Sequence, residues 1–178
     1  MRDPAFDTAI QTVLAHEGGF VDDADDPGGA TNFGVSLRFL RAEGHELGDI
    51  DGDGDIDVAD VRKLTRRGAG HIYQTAFWER YGYGDLPPAV GAKLLDLSVN
   101  MGPRQAHLCL QRAVGACWFP LVEDGVLGRV TRRAVFAAPE RPLCAAMRSE
   151  AGGFYRALAA ARPHFSKYLD GWLKRAYA

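Results

Sequence analysis

Apolar residues recur at helical spacing almost from the start of the chain. Phe6, Ile10 and Val13 fall on one stripe of a helix predicted over residues 4–17, and Gly18-Gly19 supplies its stop signal. Glu17 continues the same stripe. After Phe20 the period is lost in the run VDDADDPGGATN, whose turn formers predict a loop or short hairpin. A short helical segment near residues 36–41 leads into an aspartate-rich stretch. Beyond residue 57 the helical period returns, with helices predicted near 58–65, 70–81, 88–101, 103–114, 128–137, 141–161 and 166–176. Residues 118–128 read as a connection between two helical groups. The expectation is a mainly α chain with a small loop or β element after its first helix, without fixed-period repeats or low-complexity linkers.

Composition narrows the class. With 178 residues and 47% hydrophobic content, the chain can bury one substantial core; a boundary near residue 86 would separate lobes. A formal net charge of -2 gives no basic field, so no nucleic-acid partner is expected. No run approaches the roughly 18 to 20 apolar residues of a membrane span, so no membrane insertion is expected. Met1-Arg2-Asp3-Pro4 lacks a basic region followed by an apolar run, so synthesis in the cytoplasm without a signal peptide is expected. Cys109, Cys117 and Cys144 are odd in number and dispersed, which reads as reduced core thiols rather than a disulfide framework. A monomer without organic cofactor is the simplest expectation.

Glu17, ending an apolar helical face, is expected to be partly desolvated and close to the negative end of the helix dipole. Both effects disfavour the carboxylate, which is how a glutamate stays protonated and serves as a general acid. A helix-terminal glutamate that simply reaches solvent fits the pattern too. Glycoside hydrolysis needs such an acid and a second group to place water or stabilise an oxocarbenium-like centre. The loop that follows offers Asp22, Asp23, Asp25, Asp26, Thr31 and Asn32, some of which are solvated turn residues.

The segments His16-Glu17-Gly18-Gly19-Phe20-Val21 and Asp26-Pro27-Gly28-Gly29-Ala30-Thr31-Asn32-Phe33-Gly34-Val35 resemble the signature of glycoside hydrolase family 108, the N-acetylmuramidases. The resemblance implies a lysozyme-like fold with Glu17 as catalytic acid. Asp26 and Thr31 resemble the pair that positions water in phage lysozymes, with one residue fewer between them. Tyr73, Phe77-Trp78, Tyr81, Leu86-Pro87, Asp96 and Val99-Asn100-Met101-Gly102 match the family's middle segment. Asp96 and Asn100 share a helix face, either lining a sugar cleft or capping and cross-linking helices. Trp78 and Tyr73 suit stacking on pyranose rings, although aromatics at this spacing are often plain core. Leu110-Gln111-Arg112-Ala113-Val114-Gly115, Asp124-Gly125-Val126-Leu127-Gly128, Thr131 and the ending Tyr168-Leu169-Asp170-Gly171-Trp172 resemble the family's peptidoglycan-binding segment. The resulting division is a catalytic region over 1–102 and a helical binding-like region over 103–178.

Residues 49–60, DIDGDGDIDVAD, read without any family as an inserted EF-hand-like calcium loop. Oxygen ligands fall at positions 1, 3, 5, 9 and 12 as Asp49, Asp51, Asp53, Asp57 and Asp60. Asp55 is placed to give its carbonyl at position 7, Gly54 makes the turn and Ile56 packs inward. Asp60 stands where glutamate is usual, a shorter reach that favours lower affinity and lets magnesium compete. The alternative is a solvated acidic loop.

Together these readings imply a peptidoglycan hydrolase that cleaves the bond between N-acetylmuramic acid and N-acetylglucosamine, serving cell lysis or particle release, with a structural calcium ion. An inverting course fits, since no second carboxylate is clearly set for attack. The partner is bacterial peptidoglycan, reached in the cell wall after release or export. The alternatives are a stem-peptide endopeptidase on the same fold, a secretion-assisting muramidase, a silent wall-binding protein and a calcium-controlled adaptor.

Overall fold

Asp3 starts the first helix. Its carboxylate accepts the backbone N–H groups of Ala5 (2.9 Å) and Phe6 (3.3 Å), and Pro4 at the first helical position gives up only an N–H that has no partner there. The computed structural model describes residues 3–22, 29–117 and 119–178. It is mainly helical and divides into two units, residues 1–80 and 81–178.

In the first unit, α1 (Pro4–His16) buries Phe6, Ala9, Ile10, Val13 and Leu14, the stripe expected from spacing, and packs against α5 (Arg66–Tyr73). Both ends of α1 are tied to the later segment. The Trp78 indole N–H donates to Asp3 Oδ2 (2.7 Å), with its ring 5.6 Å from that of Phe6. At the other end Arg66 Nη1 donates to the Leu14 carbonyl (3.2 Å). The Trp78 bond, with the two backbone amides and against the pull of burial, holds the Asp3 carboxyl below its ordinary range.

A two-residue hairpin joins β1 (Thr31–Asn32) to β2 (Val35–Ser36), with Thr31 opposite Ser36 and Asn32 opposite Val35. Phe33 and Gly34 turn it with φ of 49° and 78°, as a tight hairpin of this length demands. Ser36 caps α2 (Leu37–Glu43); α3 (His45–Gly48), the acidic loop and α4 (Val58–Lys63) follow. The helix expected at 70–81 starts earlier, at Arg66, and continues as a wider π turn over Gln74–Glu79. Thr65 caps it through the Gly68 N–H, and Gly68 serves close approach: a Cβ there would lie 3.1 Å from Leu64 Cδ1.

The second unit packs α6 (Pro88–Met101), α7 (Pro103–Ala116) and α9 (Glu140–Ala161) together, with α8 (Arg129–Ala137) on α7 and α10 (Leu169–Tyr177) on α9. The last predicted helix is split. Pro163 biases Arg162 out of helical conformation, so a 3₁₀ turn (Pro163–Tyr168) precedes α10. The turn at Asp124-Gly125-Val126 is held from α7: His107 Nδ1 donates to the Gly125 carbonyl (3.0 Å) and Gln111 bonds Asp124, Val126 and the Gly125 N–H. With His107 donating there, its Nε2 accepts from Tyr83 (2.9 Å), which in turn accepts from Ser98 (2.7 Å). Burial lowers the His107 pKa, which favours this neutral arrangement. Cys109, Cys117 and Cys144 are free thiols, and no helix of the described residues is long and apolar enough to cross a membrane.

Replacing Asp3 by alanine is expected to cost about 1–2 kcal/mol in denaturant melts. Because its folded pKa is depressed, the stabilisation is present above the ordinary carboxylate range and is lost as pH falls through the folded value. The gap between wild type and Asp3→Ala should therefore narrow on acidification.

Candidate active site

Glu17 follows α1 in extended conformation (φ -91°, ψ 136°) and is half-buried. The strand-like segment after it pairs with the hairpin. Val21 and Thr31 exchange backbone hydrogen bonds of 2.8 Å, and the Phe33 N–H donates to the Gly18 carbonyl (3.1 Å). This pairing brings the Phe33-Gly34 turn beside Glu17. The approach is so close that a Cβ on Gly34 would collide with Glu17 Oε2, lie 2.5 Å from Glu17 Cδ and lie 2.6 Å from the Tyr73 hydroxyl. Carboxyl, glycine backbone and phenol thus converge. Tyr73, 2% exposed, donates from its hydroxyl to the Phe33 carbonyl (2.9 Å) and fixes the turn from within. Cβ atoms at Gly18 and Gly19, the residues that follow it, would meet nothing within 4 Å. The glutamate therefore has one face pressed on the hairpin and open space beside the glycines that follow it.

Thr31 sits on β1, half-buried, with its hydroxyl donating to the Gly29 carbonyl (3.2 Å). Asp26 lies outside the described residues, as do Asp23 and Asp25. Two expected sugar-stacking aromatics are core residues. Trp78 is 3% exposed and engaged with Asp3 and Phe6, and Tyr73 positions the turn instead of offering a ring face. Asp96 takes the cross-linking alternative: it is 3% exposed, with Oδ1 accepting from Arg175 Nε (2.8 Å) and Oδ2 facing Lys93 Nζ (3.4 Å). Lys93 also donates to the Arg175 carbonyl (2.8 Å), and burial pulls its ammonium pKa down despite Asp96. This ionic group pins α10 to α6. Asn100 lies one turn further along α6, half-buried.

Two features escaped the sequence reading. Gly34 was part of the quoted motif, but only its position between two paired strands shows why a side chain is excluded there. Arg175, the partner of Asp96, is 79 residues away in sequence.

In the acidic loop, carboxylate oxygens of Asp49, Asp51 and Asp53 lie within 4.8 Å of one another, as do those of Asp55, Asp57 and Asp60. The neighbouring Asp53 charge is the main reason the Asp55 carboxyl is pushed up. Asp60 is fully buried. Its oxygens accept the amides of Ile50 (2.6 Å), Asp51 (3.2 Å) and Asp57 (2.8 Å), so it closes the loop on the first turn of α4.

Residues 10–102 match the glycosyl hydrolase 108 family, and residues 105–177 match the family described as a predicted peptidoglycan domain. The solved structure of Brucella abortus SagA is similar, with 31% sequence identity and a TM-score of 0.78 over 98% of this chain and 90% of that one. No curated protein matches the chain significantly.

Asp96→Ala is expected to act on stability. It removes the carboxylate that buried Arg175 and Lys93 share, and urea melts should lose about 3–5 kcal/mol, a cost typical of breaking a buried ion pair.

Proposed function

The chain belongs to the glycosyl hydrolase 108 family and is a glycoside hydrolase that degrades peptidoglycan; on that premise we propose that it is an N-acetylmuramidase with Glu17 as its general acid. The bond cut is the β-1,4 link from N-acetylmuramic acid to N-acetylglucosamine. What supports the reading is the seat of Glu17: one side of its carboxyl rests on Gly34 and the Tyr73 hydroxyl, and open space lies beside Gly18 and Gly19.

The chemistry follows from that seat. A carboxyl held against the hairpin at the end of α1 is placed to donate a proton to a glycosidic oxygen. Protonating that oxygen lets the leaving sugar depart as positive charge builds on the anomeric carbon. Thr31, on the strand paired with Val21, is the described residue we assign to water placement, with Asp26 as its partner. Glycines at 18 and 19 leave room for a glycan chain to lie along the segment. We assign the activity to lysis or particle release at the cell wall.

Glu17→Gln is expected to lower turbidity loss of purified peptidoglycan about 10²- to 10⁴-fold, the usual worth of a general acid. Mass analysis of wild-type digests should show muropeptides ending in reducing muramic acid. Equal activity in the variant, or fragments cut only at peptide bonds, would sink the proposal. Gly34→Ala should be nearly as inactive while remaining folded, since its Cβ displaces the acid and its φ of 78° strains an alanine by roughly 1–2 kcal/mol. A stable and fully active Gly34→Ala protein would show that the seat does not matter.

A further inference from the structure

The acidic loop has a chemistry that glycan hydrolysis does not use. Its first three aspartates converge, and one of them is unusual. The Asp51 side chain is only 6% exposed; Oδ2 accepts from Lys63 Nζ at 2.7 Å, but Oδ1 is buried without a hydrogen-bond partner. Burying an anionic oxygen unmatched is costly, and a cation in the adjoining Asp49 and Asp53 cluster would relieve it. All three donors are hard carboxylate oxygens in a loop rather than a fixed octahedral cage, which suits calcium better than the strict octahedron of magnesium.

The loop is coupled to the site. Asp57 and Asp60 form a reciprocal cap on α4, and Asp60 also gathers the amides of Ile50 and Asp51. At the far end of α4, Asn32 Nδ2 donates to the carbonyls of Val61 (3.0 Å) and Leu64 (3.2 Å). Asn32 is 5% exposed and directly precedes the Phe33-Gly34 turn that seats Glu17. Arg41 of α2 holds the middle of the loop through the Ile56 carbonyl (2.9 Å). A continuous path of backbone and buried polar bonds therefore runs from the aspartates through α4 to the hairpin.

We propose that residues 49–60 bind one calcium ion through Asp49, Asp51 and Asp53, and that the bound ion, acting through α4 and Asn32, holds the hairpin that seats Glu17. Lys63 is a competing cation on Asp51, so the site is tuned below the affinity its charge would give. The inference does not depend on which bond the enzyme cleaves.

The test is calorimetric titration of the chelator-treated full chain with calcium chloride, paired with hydrogen exchange at the Thr31 and Phe33 amides. Wild type should bind one calcium, with slower exchange at those amides and a raised thermal midpoint. Asp51→Asn removes a repelling charge, so it should stay folded while binding at least about tenfold more weakly. Lys63→Met should bind about fivefold more tightly, the worth of one unit charge a few ångströms away in water. Absence of binding at millimolar calcium, unchanged affinity in both variants, or an equal response to magnesium chloride would overturn the calcium site. Binding that leaves hairpin exchange unchanged would overturn the coupling.

Discussion

The hydrogen bond from the buried Tyr73 hydroxyl to the Phe33 carbonyl is the constraint on which the first unit's arrangement depends. A hairpin with two residues in each strand has little stability of its own. It is held by outside partners: Tyr73 at the turn, Gly18 and Val21 along one edge, and Asn32 on the end of α4. Each of these fixes the turn with respect to a different element. Their sum is a glycine backbone pressed on a glutamate, a contact no single local preference would produce.

The second unit solves a different problem. Its helices bury a carboxylate, a guanidinium and an ammonium in one group, and a serine, tyrosine and histidine in another. Such groups contribute less to net stability than apolar packing of the same volume, but they admit few alternative registers. The motif around Asp124 and Gly125 belongs to this framework: its carbonyls and amide are consumed by His107 and Gln111 of α7.

Much of the fold was legible because it follows the helical period. The stripe Phe6, Ile10, Val13 gave α1, and the helical period gave α6 and α7 nearly to the residue. The clustering of aspartates around Gly54 was legible for a similar reason, since that spacing is local. What period and spacing do not encode is which side of a residue faces a partner 40 or 80 positions away. Tyr73 and Trp78 carry rings suited to sugars, and only packing shows that one hydroxyl and one indole N–H are engaged inside. Asp96 and Asn100 shared a face in the sequence reading, but the arginine that occupies Asp96 lies in the last helix. Gly68 and Gly70 lie inside α5, and Gly68 is where a side chain would crowd Leu64.

Glu17 lies near the beginning of the chain, but the groups that seat it and clamp its helix come much later: Arg66 on the Leu14 carbonyl, Tyr73 on the turn, Trp78 on Asp3. A polypeptide emerging from the ribosome presents Glu17 early, and the groups that seat it and clamp its helix only after residue 78 has cleared the exit. The seat of Glu17 is a product of completed folding of the unit, and a partly made chain carries the glutamate without it.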